Sequence, residues 1–267
     1  MTRVFFRCGA LLMILVVLGV MSAVAEEGVQ SGKFAVIVTG FMGGALGPRL
    51  VELGYTVTYG SRDPSRESVK ALVARTGNGA VADAEIVVLA VGWPAMEQVA
   101  QNLGNVEGKI IINVSDPMKQ GPDGYKVRMV ETSSAEMSHG WNPDAIVVKA
   151  FNTLGYFLIA YPSAIDEPIA VPIAADDRAA KEKLAKIVAD MGLDPLDSGP
   201  LRFSHELEGM AMIYMMPLDQ RRRQSWEFSF RRTTHWDDIW EDDWSVPVND
   251  AGNLAEIPQL GEQIVSR

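Results

Sequence analysis

The sequence has almost no cysteine, few histidines and an excess of acidic side chains. Cys8 is the only thiol among 267 residues, so an intrachain disulfide and a cysteine-based zinc cluster are excluded. The histidines lack the close spacing of a metal-binding motif, and we predict no metal site; they are His139, His205 and His235. Because 24 Lys and Arg stand against 34 Asp and Glu, the net charge is −10. Nucleic-acid binding requires a basic face, so we expect no nucleic-acid partner.

What the sequence does contain suits a folded protein with a leader. Apolar residues make up 48% of the chain, enough to bury a core in one large domain or in one domain with an appendage. Arg3 and Arg7 precede an uncharged run at residues 8–25 that ends in Ala-Val-Ala, which is the layout of a secretory signal peptide. We therefore predict an exported, periplasmic or secreted protein. Two alternatives stay open: an uncleaved membrane anchor, or a cytoplasmic protein whose true start is Met21.

The body opens with a pattern typical of a dinucleotide-binding turn. Residues 34–38 form a continuous apolar run, as expected for a strand covered on both faces of a parallel sheet. The turn Thr-Gly-Phe-Met-Gly follows at 39–43, and a helical apolar periodicity then ends at Gly54. Glycines let the backbone approach a pyrophosphate, and the helix N-terminus faces the anion. The first glycine of the usual G-x-G-x-x-G pattern is Val38 here, so a glycine-rich turn that binds nothing is the alternative.

The residues after the second predicted strand, at 56–59, favour NADP over NAD. Ser61, Arg62 and Arg66 offer a hydroxyl and two guanidiniums, and arginine presents a fork of donors that matches phosphate oxygens. An NAD site usually carries an acidic residue at this place. The alternative interpretation is a solvated basic turn.

Strands and helices then alternate along the chain. We predict a short strand at residues 79–82, a helix at 95–103, and strands at 85–91, 109–114 and 145–150. A strand at 169–174 and helices at 176–191 and 200–216 follow. The pattern predicts an α/β fold with a Rossmann-type doubly wound parallel sheet and a small C-terminal α/β extension. Ligands of such sheets bind beyond the carboxyl ends of the strands, where the residues singled out above all lie.

Four segments resemble the F420-dependent NADP oxidoreductase family. They are TGFMG at 39–43, YGSRDP at 59–64, KAFNTLG at 149–155 and DPLDSGPL at 194–201. The similarity runs in consistent order from Lys33 to Met216. The family transfers a hydride directly between NADP and a deazaflavin, coenzyme F420, and the resemblance implies NADP as cofactor with coenzyme F420 or a flavin as acceptor.

The resemblance also implies a set of cofactor-binding residues. The pyrophosphate would be bound by Thr39, Gly40, Phe41, Met42 and Gly43, and the 2′-phosphate by Ser61, Arg62 and Arg66. Val91 and Gly92 would line the cofactor channel. Ala150 and Asn152 would lie near the nicotinamide and the second redox partner. Direct hydride transfer needs alignment and exclusion of water rather than a proton donor. We therefore predict no catalytic acid or base, and we interpret Lys149 as a strand-end lysine.

The end of the chain departs from the family pattern. We predict a signal peptide at 1–25, an NAD(P)-binding Rossmann domain at 33–200, a small helical element at 201–232 and an acidic, Trp-containing tail at 233–267. Trp236, Trp240 and Trp244 recur at helical spacing. They suit either a homodimer or protein-partner interface, or a tail that covers the body. We interpret the methionines of residues 210–216 as adaptable core.

The sequence as a whole predicts an NADP-dependent oxidoreductase that acts on a small-molecule redox acceptor. One alternative is an exported, non-enzymatic Rossmann module that binds another anionic ligand or a protein partner. The missing first glycine and the export signal favour that alternative, because free NADP is scarce outside the cytoplasm. A third hypothesis is a ferric or flavin reductase that uses the same NADP site.

Overall fold

A computed structural model describes residues 32–37, 40–61, 81–219 and 230. The chain divides into two units, 1–229 and 230–267, and all of these residues except Phe230 belong to the first. The predicted signal peptide, Val38 and Thr39, Arg62 and Arg66, and the Trp-containing tail lie outside the described residues. No helix within the described ranges is both long and apolar enough to cross a lipid bilayer.

The strands and helices follow the predicted alternation. The strands are β1 Lys33–Ile37, β2 Thr56–Gly60, β3 Ile86–Leu89, β4 Ile110–Asn113, β5 Met118–Gln120, β6 Lys126–Arg128, β7 Ile146–Lys149, β8 Ala170–Ile173 and β9 Asp194–Asp197. The helices are α1 Phe41–Glu52, α2 Met96–Gln101, α3 Ser134–Trp141, α4 Tyr156–Ala160, α5 Arg178–Asp190 and α6 Ser204–Asp219. The hairpin β5–β6, the strand β9 and the helices α3 and α4 are additions that the sequence patterns did not indicate.

Five parallel strands form the central sheet in the order β2-β1-β3-β4-β7. The strand order reverses between β1 and β3, which is where a doubly wound sheet opens a crevice for ligands. All four residues of β3 are buried, as expected for a parallel strand covered on both faces. The predicted Rossmann-type doubly wound sheet is therefore confirmed.

Alternate residues of the strands supply two hydrophobic layers. On one face Val36, Val88 and Val148 pack in a cluster with residues of α1, α4 and α5, including Leu46, Leu50, Leu158, Ile159, Leu184 and Ile187. On the other face Ala35, Val87 and Val147 pack in a cluster with residues of α2 and α3, including Met96, Ala100 and Ala135. Helices thus cover both faces of the sheet, and the candidate site lies at the ends of its strands.

The predicted C-terminal extension is a β8–α5–β9 unit. β8 and β9 pair in parallel, and α5 is capped by Asp177, which accepts from the Ala180 N–H at 2.7 Å. The unit joins the sheet at Lys149, whose N–H donates to the Ala174 carbonyl at 2.9 Å. This bridge fixes the backbone at the end of β7.

Two sequence predictions are wrong in the described part of the chain. Residues Val81–Asp83 form a 3₁₀ turn closed by the Ala84 N–H on the Val81 carbonyl, so the short strand predicted at 79–82 is absent from residues 81 and 82. The methionines of α6 are only half-buried, because the helix buries a different stripe at i, i+3, i+4 and i+7. That stripe consists of Ser204, Leu207, Glu208 and Ala211.

Gly47 is required by the packing of α1 on β2. A Cβ at Gly47 would lie 1.8 Å from the Tyr59 hydroxyl oxygen, and that hydroxyl donates to the Gly43 carbonyl at 2.9 Å. We expect Gly47→Ala to lower the free energy of unfolding by about 1–3 kcal/mol, the usual cost of overpacking, measured by urea denaturation.

Gly44 provides the matched control in the same helix. A Cβ at Gly44 would meet no atom within 4 Å, and alanine is the better helix former by about 0.5–1 kcal/mol. Gly44→Ala should therefore leave the protein equally stable or slightly more stable. Equal losses in both variants would contradict the packing argument.

Candidate functional site

The carboxyl ends of the five parallel strands meet at one edge of the sheet, and the predicted site residues follow them. The α1 turn with Gly40 comes after β1, Ser61 after β2, Val91 and Gly92 after β3, and Ala150 and Asn152 after β7. The structure therefore brings the described members of the predicted set to the same edge. Thr39, Arg62 and Arg66 of that set lie outside the described residues.

The N-terminus of α1 presents unpaired backbone donors at this edge. Gly40 is the N-cap residue, and the first helical hydrogen bond runs from the Gly44 N–H to its carbonyl at 2.8 Å. The N–H groups of Phe41, Met42 and Gly43 therefore have no acceptor within the helix. No side chain caps the helix and no acidic residue stands in its first turn. A Cβ at Gly40 would meet nothing within 4 Å, so an anion has both donors and room.

A cleft of about 390 Å³ lies between the ends of β1 and β2 and helix α2. Ile37, Val81, Val99 and Leu103 give it apolar walls, and Ser61 stands at its polar side. Gly60, Gln98 and Asn102 also line it. An apolar slot with a few polar groups at one side suits a flat heterocycle that carries a polar substituent.

On the far side of the edge, a fully buried lysine organises the ends of β4 and β7. The side chain of Lys149 is 0% exposed and lies 2.9 Å from Glu208 Oε1 of α6. Its Nζ also donates to Asn113 Oδ1 at 3.2 Å and to the Ser115 carbonyl, and it lies 3.5 Å from Asp116 Oδ1. A buried ion pair of this kind persists only when further hydrogen bonds satisfy both partners.

The Glu208 carboxylate is held by several elements at once. Glu208 Oε1 accepts from the Ser134 N–H at the start of α3 at 2.8 Å, and Glu208 Oε2 lies 3.8 Å from Arg128 Nη1 of β6. Arg128 in turn donates to the His205 carbonyl of α6 at 3.1 Å. Glu208 is 2% exposed, and its Oε1 is compensated by hydrogen bonds, whereas Glu208 Oε2 and Arg128 Nη1 have no hydrogen-bond partner among the described residues.

Burial raises the pKa of both carboxyl groups that face Lys149. For Asp116, burial raises the pKa, and the Lys149 charge opposes that shift together with a hydrogen bond from Asn152. For Glu208, burial likewise raises the pKa, Lys149 lowers it, and the Asp116 charge adds to the increase. Lys149 therefore opposes the burial-driven rise in the pKa of both carboxyl groups.

The segment after Lys149 has a strained backbone. Phe151 has φ of 62° and is the one non-glycine residue with positive φ in the described ranges. The left-handed conformation costs an aromatic residue about 1–3 kcal/mol, and such strain persists where the surroundings fix it. Asn152 follows, and its Nδ2 donates to Asp116 Oδ1 at 2.9 Å and to the Leu207 carbonyl at 3.0 Å.

The sequence did not identify this cluster. Lys149 was interpreted as a strand-end lysine, whereas its side chain is fully buried. The available signals were a lysine inside the apolar run 145–150 and a glutamate on the stripe of α6 that is otherwise small or apolar. Neither signal names its partner, because 59 residues separate the two. Among the described residues there is no group of side chains that could hold a metal ion.

Comparison with known proteins agrees with this geometry. Residues 33–117 match the family described as NADP oxidoreductase, coenzyme F420-dependent. The metalloreductase STEAP3 of Rattus norvegicus is 30% identical over 194 residues, and the metalloreductase STEAP2 of Mus musculus is 26% identical over 180 residues. These matches cover 71% and 66% of this chain, and 38% and 35% of the relatives. The chain therefore spans little more than a third of the curated relatives it matches.

A solved structure gives the same family over its whole length. A crystal structure from Arthrobacter sp. FB24, described as a candidate F420-dependent NADP reductase, matches with a TM-score of 0.68 and 25% identity. The match covers 76% of this chain and 100% of that protein. In the sequence of residues 33–117 and in its fold, the chain is similar to the coenzyme F420-dependent NADP oxidoreductase family.

Proposed function

We propose that this protein is an NADP-dependent oxidoreductase that transfers a hydride between NADP(H) and a flavin-like or deazaflavin ring. One observation carries the proposal: the uncapped N-terminus of α1 and the apolar cleft beside Ser61 open at the same sheet edge. An anion-binding helix end next to a slot for a flat ring is what a dinucleotide requires.

The described residues suit successive parts of NADP, and the sequence adds Arg62 and Arg66 after Ser61. The cleft lined by Ile37, Val99 and Leu103 suits the adenine ring, and Ser61 with the neighbouring Arg62 and Arg66 suits the 2′-phosphate. The N–H groups of residues 41–43 suit the pyrophosphate. β4 and β7 lie two and three strands beyond β1 in the sheet, and neighbouring strands are about 4.8 Å apart. We therefore assign the nicotinamide end of the cofactor to the ends of β4 and β7.

The reduced cofactor supplies a hydride when it is bound. This chain's part in that step is to align the two rings and to exclude water. Ala150 is 0% exposed and Asn152 is 8% exposed, so the packing of this segment keeps water out, and the exposed part of Asn152 is the surface that it offers to the nicotinamide. The proposal assigns no proton donor, since hydride transfer between stacked rings does not require one.

The chemistry of the hydride limits the acceptor. A hydride carries two electrons, whereas a ferric ion accepts one, so the direct acceptor must be a group that takes both electrons. A flavin or deazaflavin meets that requirement. The two curated relatives reported above are metalloreductases, which favours, as a second candidate, a reductase whose reduced ring passes electrons on to a metal ion.

Titration of the purified full chain with NADPH and with NADH tests the proposal. Nicotinamide fluorescence should report saturable NADPH binding, and NADH should bind at least about tenfold more weakly because it lacks the 2′-phosphate. No binding at near-millimolar NADPH would overturn the cofactor assignment. Equal affinity for the two cofactors would overturn the 2′-phosphate assignment alone.

A further inference from the structure

Two consecutive residues of helix α6 contact the end of β7 and the turn that follows it. Glu208 pairs with Lys149 at 2.9 Å, and the Leu207 carbonyl accepts from Asn152 Nδ2 at 3.0 Å. The two anchored residues stand on either side of the left-handed residue Phe151. The strained turn is therefore fixed from both sides by one helix that lies 50 or more residues later in the chain.

The rest of the turn is also fixed on its N-terminal side. The Lys149 N–H donates to the Ala174 carbonyl at 2.9 Å, and the Ala150 N–H donates to the Asn113 carbonyl at 3.3 Å. Lys149 Nζ contacts Asn113 Oδ1 and Asp116 Oδ1 as well. The ammonium group thus ties three elements together where β4, β7 and α6 meet.

We propose that Glu208, acting through Lys149, is a positioning residue that sets the strained segment 150–152 against the nicotinamide ring. The inference rests on the proposed function, because it assumes that the dinucleotide lies along this edge. It also separates the two halves of the cofactor site. The adenosine cleft lies at β1 and β2, and the ion pair lies at β4, β7 and α6, so the pair acts on the nicotinamide half alone.

The test compares two ligands on one variant that removes both charges of the Lys149–Glu208 pair. In Lys149→Met/Glu208→Gln, the glutamine retains an acceptor for the Ser134 N–H, while the contacts of the ammonium group with β4 are lost. Calorimetric titration uses NADPH and adenosine 2′,5′-bisphosphate, which carries the 2′-phosphate but no nicotinamide. We expect NADPH to bind about tenfold more weakly, and the bisphosphate to keep its wild-type affinity.

Each outcome decides the inference. The selective loss of NADPH affinity supports it, and unchanged bisphosphate binding shows that the variant is folded. Equal losses for both ligands, or no loss for either, overturn the positioning role while the proposed function stands. Wild-type protein that binds neither ligand overturns the proposed function and this inference together. Lys181→Met is the matched control, because it removes the lysine of the Lys181–Asp197 pair in the C-terminal extension and should change neither affinity.

Discussion

Replacing Lys149 by methionine is expected to lower the free energy of unfolding by about 3–5 kcal/mol, the cost of leaving a buried charge without its partner. Methionine fills similar space, so the loss arises from charge rather than from a cavity. Glu208 is 2% exposed and would keep only the Ser134 N–H and Arg128, whose Nη1 is 3.8 Å away. Urea denaturation of the purified variant at neutral pH measures the loss.

Neutralising the second partner should recover most of that stability. In Lys149→Met/Glu208→Gln no charge is left on the α6 side of the cluster, and a buried pair replaced by neutral side chains of similar size is often close to neutral in stability. A double variant as unstable as the single one would show that packing, not charge, is responsible. Lys181→Met should cost less than about 1 kcal/mol, because its partner Asp197 is 66% exposed.

The pH dependence of the single variant follows from the two carboxyl groups. Burial already raises the pKa of Asp116 and Glu208, and Lys149 counteracts both shifts. Without the lysine each pKa rises further, so the folded state binds protons more tightly than the unfolded state. A raised carboxyl pKa contributes stability that is complete below about pH 4, the ordinary range, and is lost as the pH rises through the folded value. The free energy of unfolding of Lys149→Met should therefore be closest to the wild-type value at acidic pH.

How much the sequence predicts depends on whether the relevant contacts are local. The run at 34–38, the turn at 39–43 and the stop at Gly54 lie within about twenty residues, and they correctly predict β1 and α1. The short strand at 79–82 failed because residues 81 and 82 lie in a turn closed on Val81. A small apolar run contains too little periodicity to separate the two.

In the candidate site, too, the sequence predicts the local features and not the long-range contacts. Gly40 and Ser61 follow strands directly, so the rule that parallel strands end at one edge brings them together. The Lys149–Glu208 pair and the left-handed Phe151 depend on the packing of α6 against β4 and β7. Hydrophobic periodicity instead favoured the methionine stripe of α6 as its buried face. Burial is predicted from apolar residues at helical spacing, and a buried polar cluster does not show that pattern.

Arg62→Ala is expected to weaken NADPH binding by about 10- to 100-fold, the range for loss of hydrogen bonds to a charged group worth about 1.5–3 kcal/mol. The argument rests on Ser61, which directly precedes Arg62 and lines the cleft that we propose for the adenosine. NADH lacks the 2′-phosphate, so its affinity should not change. The ratio of NADPH affinity to NADH affinity should therefore decrease. Parallel fluorescence titrations with the two cofactors measure both effects.

The control for Arg62→Ala is an arginine with the same charge at a different place. Arg178 on α5 is 90% exposed and pairs with Glu182 at 2.7 Å, and Arg178→Ala should leave both affinities unchanged. If Arg62→Ala weakened NADH as much as NADPH, the guanidinium would act on a part that the two cofactors share. Only a loss confined to NADPH assigns Arg62 to the 2′-phosphate, because that group is the single chemical difference between the ligands.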